Sequence, residues 1–173
     1  MTDTITIQPQ SVTESDDKAA EVLRELQNKF GMIPNIFAVM AHHPPTLAGF
    51  TKLFEAIHED LSPRLREIAY LKASTINNCE YCLTHHRKNA QEAGVSEEEL
   101  NAIASGKDEP FEETEKLVLQ FAEQLTQTTH PDADLCNQLR ERLGEKDYVA
   151  LTAVVCTANW TNRFNHACGV ELP

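Results

Sequence analysis

Glycine and proline are scarce in this sequence, 6 and 8 of 173 residues. That scarcity excludes collagen-like and low-complexity chains, and a composition of 41% hydrophobic and 24% charged residues excludes a disordered one. Basic residues are also few. Fifteen Lys and Arg stand against 27 Asp and Glu, a net charge of −12 and an isoelectric point near 4.9. Such a chain repels a phosphate backbone or an anionic bilayer, so neither nucleic acid nor membrane is an expected partner. Long apolar runs are absent: the longest uncharged stretch, residues 31–51, is broken by Pro34, Pro44 and Pro45 and carries His42 and His43, so no spanning helix is expected. The opening MTDTITIQPQ lacks the basic start and apolar middle of a secretory signal, which makes a cytoplasmic location the expectation. Five cysteines, an odd and unevenly spaced set, argue against a secreted disulfide framework.

What is present reads at helical period, and all-α is the expected class. Val22, Leu23, Leu26 and Phe30 form one stripe ending at Gly31, a natural left-handed stop. A short apolar segment at 36–40 closes at Pro44 and Pro45, and Leu47, Phe50, Leu53, Phe54 and Ile57 then share a face. Ser62 with Pro63 opens a helix running towards Asn77; a second starts at Cys79, and Ser96 with Glu99 is a capping box for a third. The segment 111–126 continues the pattern. Val149, Leu151, Val154 and Val155 resemble a strand by composition, but apolar spacing extends through Trp160 and Phe164 and favours a buried helix. At an offset of 80 residues, Leu71, Ala73 and His86 match Leu151, Ala153 and His166. This hints at a repeated helix hairpin whose second copy has Asn159 and Asn162 in place of cysteines, a redox-dead twin. Residues 1–173 are expected to form a single domain, with 1–14 a flexible lead and 60–106 a helix-hairpin core.

The chemistry concentrates in Cys79-Glu80-Tyr81-Cys82-Leu83-Thr84-His85-His86. Two cysteines three residues apart at a helix start can bridge, and the unpaired amides of the first turn favour a thiolate, lowering a thiol pKa. His86 lies four residues after Cys82, on the same helical face, within reach for proton exchange directly or through one water; His85 points about a quarter-turn away. A carboxylate would fix the imidazole tautomer. Glu67, on the preceding helix of the hairpin, is the candidate, whereas Glu80 at the exposed helix start serves the dipole. A C-x-x-C alone fits zinc and redox sites equally. A structural zinc needs a second ligand pair, and Cys136, Cys156 and Cys168 lie far off, where single cysteines usually pack in a core. His42, His43, His58, His130 and His166 are expected to be surface, capping or hydrogen-bonded groups.

Glu67, Cys79 twelve residues on, Cys82 three further and His86 four beyond resemble the motif of the alkyl hydroperoxidase D family, within the carboxymuconolactone decarboxylase-like superfamily. The likeness covers roughly residues 34–172, including Pro34-Asn35-Ile36-Phe37, Asn162-Arg163-Phe164-Asn165-His166 and Gly169-Val170, which are similar to the peroxidase-related branch. It implies an all-helical fold, homo-oligomers and reduction of hydrogen peroxide or organic hydroperoxides without metal or flavin cofactors. By the same resemblance Cys82 attacks the peroxide, Cys79 resolves the sulfenic acid, and Glu67 and His86 relay protons. An external dithiol or protein reductant, lipoyl- or thioredoxin-like, then restores the pair. Tyr81 departs from the histidine that well-known members carry between the cysteines. The alternatives are a protein disulfide reductase using the same pair, and a zinc-binding or redox-sensing module without turnover.

The apolar segment 36–41 and the stripe from Leu47 to Ile57 exceed what one small core needs, and the resemblance also implies self-association. Association against a charge of −12 requires a hydrophobic contact, which salt should tighten by screening the repulsion. Light scattering is therefore expected to show a particle larger than the 19.4 kDa chain. A monomer at micromolar concentration in both low and moderate salt would rule this out.

Overall fold

Proline and glycine mark many of the element boundaries. A computed structural model describes residues 5–59 and 61–172, and among them it has eight helices and no strand: α1 Asp17–Phe30, α2 Asn35–Met40, α3 Pro44–Ala56, α4 Pro63–Ile76, α5 Glu80–Glu92, α6 Glu97–Ser105, α7 Glu113–Thr128 and α8 Ala133–Cys168. The expected all-α class is what forms. Gly31 closes α1 at φ 75°, where an L side chain would be strained. Ser96 and Glu99 form the reciprocal capping box at α6. Pro63 is the first residue of α4, but the side chain of Ser62 makes no cap hydrogen bond. Among the described residues no helix is long and apolar enough to cross a membrane.

The chain divides into two compact units. One comprises the residues up to Ala56 together with those from Phe164 onward. Here α1 and α2 pack on α3, and Phe37 meets Phe50 and Phe54 at centroid distances of 5.9 and 5.6 Å. Two expected core residues turn outward: Phe30 is 41% and Leu53 43% exposed. Of the flexible lead expected over 1–14, residues 1–4 lie outside the described residues. Further on, Ile7 N–H donates to the Cys168 carbonyl and Gln10 N–H to that of Ala38.

The other unit, residues 57–163, is organised around α4. This helix packs against α5, α6 and α7, and every residue from Glu67 to Ser74 is buried, the pattern of a central helix. The turn from α4 to α5 passes through Asn78 at φ 54°, a conformation that asparagine tolerates. The Arg64 fork fastens the start of α4: its Nε donates to Glu115 at 2.6 Å, a terminal nitrogen reaches Glu99, and Nη1 donates to the Gly94 carbonyl at 2.8 Å.

α8 breaks at Gly144, which has φ 78° and ψ 166°, and is then helical through the segment proposed as a second hairpin. No turn corresponding to Asn77–Cys79 occurs there, so the sequence match does not reproduce the hairpin. Its buried face within this unit runs through Leu151, Val154, Val155, Ala158, Thr161 and Asn162, while Trp160 is 40% exposed. Cys156, expected in a core, is exposed, and Cys136 and Cys168 are half-buried.

The Arg64 clamp makes a stability prediction. Arg64→Ala leaves two largely buried carboxylates without their cation and should cost about 3 kcal/mol in urea unfolding at pH 7. Arg64→Lys should recover less than half, because a point charge cannot fork between partners. Burial raises the Glu99 carboxyl, but the hydrogen bonds from Arg64 and Ser96 outweigh it and hold the group below its ordinary 4.5. The clamp's contribution is therefore present above that value and disappears as pH falls through the lower folded-state value.

Candidate active site

Three side chains of α4, Glu67, Tyr70 and Ser74, and that of its C-cap Asn77 recur at spacings of three and four and so project from one face. Each meets a polar partner on α5 or α8. Glu67 has no exposed surface; its Oε2 lies 2.7 Å from His86 Nδ1, and its Oε1 accepts from Arg66 Nε at 3.0 Å. Burial pushes the Glu67 carboxyl up, yet the hydrogen bonds and charges of His86 and Arg66 more than offset this and leave it below its ordinary value. An ionised Glu67 accepts a hydrogen bond from Nδ1–H, which fixes the tautomer and leaves Nε2 for proton exchange. The Tyr70 ring stacks on the imidazole at 3.6 Å with 15° between planes.

Cys79 is the N-cap of α5 and Cys82 the third residue of its first turn. Both are buried. Their sulfurs are 2.9 Å apart, with Cys79 donating to Cys82. The polar side chains of Asn162 and Thr161 on α8 favour the Cys82 thiolate. They do not prevail. The hydrogen bond to Cys79 and then burial push the Cys82 thiol well above its ordinary value. The helix start was expected to lower it; in this dry pocket, desolvation and a second sulfur outweigh the dipole.

An amide network braces the sulfurs. Asn162 Nδ2 donates to Ser74 Oγ at 3.1 Å and its Oδ1 accepts from Asn77 Nδ2 at 2.9 Å. Asn77 Nδ2 also reaches Asn159 Oδ1 at 3.0 Å. The supposed dead copy therefore supplies working parts of the site.

Glu67, Cys79, Cys82 and His86 thus come together within one unit. His85 lies elsewhere, tilted against Tyr81 with centroids 4.6 Å apart, and burial lowers its pKa. Glu80 is exposed, as are His42, His43, His130 and His166. Sequence reasoning missed Tyr70, Ser74, Thr161 and Asn162 as site members. The available signal was the polar recurrence Glu67, Tyr70, Ser74, Asn77 along a helix otherwise suited to burial. Among the described residues no three His, Cys, Asp or Glu side chains assemble as a metal-ligand set.

Comparison with known proteins agrees with this architecture. Residues 44–124 match the model of the carboxymuconolactone decarboxylase family. The uncharacterized protein YdfG of Bacillus subtilis is 28% identical over 108 residues, 60% of this chain and 73% of its own. The alkylhydroperoxidase AhpD core structure of an uncharacterized peroxidase-related protein from Ralstonia eutropha superposes with TM-score 0.85 at 21% identity, covering 98% of this chain and 93% of that one. The debrominase Bmp8, solved in complex with 2,3,4-tribromopyrrole, superposes with TM-score 0.80 at 20% identity, covering 96% and 91%. The family match within residues 44–124 and the shared helical fold lead to one statement: the chain carries a segment similar to the carboxymuconolactone decarboxylase family, in an alkyl hydroperoxidase D-like fold.

Proposed function

We propose that this chain is a thiol-dependent peroxidase acting on hydrogen peroxide or organic hydroperoxides. The observation that carries the reading is the buried dithiol, sulfurs 2.9 Å apart, sharing a helix with a histidine bound to a buried carboxylate at 2.7 Å. The fold alone does not choose a substrate, since peroxidase-related proteins and a debrominase share it. A dithiol with a proton relay suits two-electron reduction of an O–O bond.

In the proposed cycle His86 Nε2, with Glu67 behind Nδ1, accepts the Cys82 proton as attack begins. Cys82 sulfur takes the terminal oxygen of ROOH, the O–O bond breaks, and ROH leaves with the relayed proton, giving Cys82 sulfenic acid. Cys79 sulfur then bonds to Cys82 sulfur; the hydroxyl leaves as water with the Cys79 proton. An external dithiol, lipoyl- or thioredoxin-like, reduces the disulfide and is itself oxidised. A reducing cytoplasm, which would keep the dithiol reduced, and homo-oligomeric assembly belong to the same reading.

The direct test is steady-state hydroperoxide consumption with a panel of reductants that includes dihydrolipoamide and thioredoxin. Turnover with at least one dithiol is expected. Reduction of protein disulfides without hydroperoxide consumption would move the reading to a disulfide reductase.

Cys82→Ser and Cys79→Ser should each abolish multiple turnover for different reasons. A sulfenic-acid reagent should label Cys79→Ser after one equivalent of peroxide and leave Cys82→Ser unlabelled at this site. The opposite labelling would exchange the two roles.

Because the Cys82 thiol is held up, the relay has work to do at neutral pH. Glu67→Gln and His86→Ala should each slow the reaction about a hundredfold at pH 7. The loss should shrink at high pH, where hydroxide supplies the thiolate. A loss under about threefold at pH 7 would remove that residue from the mechanism, and His85→Ala should be nearly silent.

A further inference from the structure

The Tyr70 hydroxyl lies 2.5 Å from Thr161 Oγ1, in a buried contact that the peroxidase cycle leaves unused. Thr161 has one hydroxyl proton, for which its own helix offers the Thr157 and Ala158 carbonyls at 3.1 and 3.0 Å, and the same hydroxyl favours a thiolate at Cys82. The distance alone lets either hydroxyl donate, but both buried protons find acceptors only if Tyr70 donates to Thr161 Oγ1 and Thr161 donates onward. The Tyr70 hydroxyl must therefore be the donor between them. Burial, then the charge on Cys82, keeps the phenol protonated far above its ordinary 10.0, so Tyr70 holds this bond throughout the pH range of the protein. Stacking on His86 fixes the ring plane and hence the hydroxyl direction.

We propose that Tyr70 is a positioning residue for the Cys82 thiolate, acting through Thr161. Its hydroxyl occupies the Thr161 oxygen as donor, so the Thr161 proton can swing from the α8 carbonyls to the sulfur as negative charge develops there. Linked donors of this kind strengthen one another. The titratable groups surrounding Cys82 are Cys79 and His86 of its own helix and Glu67 and Tyr70 of α4, with Arg66 paired to Glu67. The α8 residues that favour the Cys82 thiolate, Asn162 and Thr161, do not ionise.

The inference rests on Cys82 as the attacking sulfur, so its test avoids peroxide. In a Cys79→Ala background, which removes the neighbouring thiol, the pH dependence of Cys82 alkylation by iodoacetamide is followed by mass spectrometry of the Cys82 peptide. Tyr70→Phe keeps the stacked ring and loses only the hydroxyl; it should raise the alkylation midpoint by at least about half a pH unit. Thr161→Val should raise it as much or more, and Thr161→Ser should restore it. The double variant Tyr70→Phe/Thr161→Val should match Thr161→Val alone, because Tyr70 acts through that hydroxyl. A smaller Tyr70→Phe shift, failure of serine to rescue, or effects that add in the double variant would overturn the proposal. A chain that alkylates as expected but consumes no hydroperoxide keeps this inference and loses the peroxidase reading. The reverse result separates them equally well.

Discussion

A carboxylate without exposed surface lies in the middle of α4, and the rest of the site is arranged around satisfying it. Alone, such a charge costs several kcal/mol, and it persists only with good partners on both oxygens. Arg66 supplies one and His86 the other. The second partnership constrains α5: His86 must face α4, and Cys82, one turn earlier on that face, is carried into the same buried space. Glu67 thereby sets the helix rotation, the imidazole tautomer and the depth of the sulfurs together.

Depth has a chemical consequence. A dry environment and an adjacent sulfur both oppose the Cys82 thiolate, while Thr161 and Asn162 favour it. The balance leaves the resting thiol protonated, unlike an exposed cysteine at a helix start. In the proposed cycle, reactivity then depends on a base that takes the proton as attack begins, the task assigned there to the Glu67–His86 pair. On that reading, burial of the dithiol makes its activation conditional on the relay.

Much of this was legible before any coordinates. Helix positions followed from apolar spacing and from stop signals such as Gly31 and Pro63, and the four motif residues from their chemistry at helical spacing. What escaped had a physical reason. Tyr70 and Thr161 are ordinary residues in ordinary helices, and their importance depends on a contact 91 positions apart in the chain, which periodicity does not encode. Apolar spacing found Leu151, Val154 and Val155 of the buried face of α8, but extended it through Trp160, which is 40% exposed, whereas Thr161 and Asn162, polar residues that pattern reading assigns to solvent, complete that face. Likewise the thiol shift depends on how much water α4 and α8 exclude, a property of packing rather than of the C-x-x-C spacing.

The Asn162 network would let the site pass through the proposed redox cycle without being remade. Its amide is held by Ser74 and Asn77, and buried polar groups with satisfied partners resist displacement. The sulfurs are already 2.9 Å apart, against about 2.05 Å in a disulfide. Closing the bond needs a movement under about 1 Å, within the range of side-chain torsions at Cys79 and Cys82. The helices and the Glu67–His86 pair can stay in place while only the sulfurs change partners, so the energy of oxidation need not be spent on breaking the core that positions the relay.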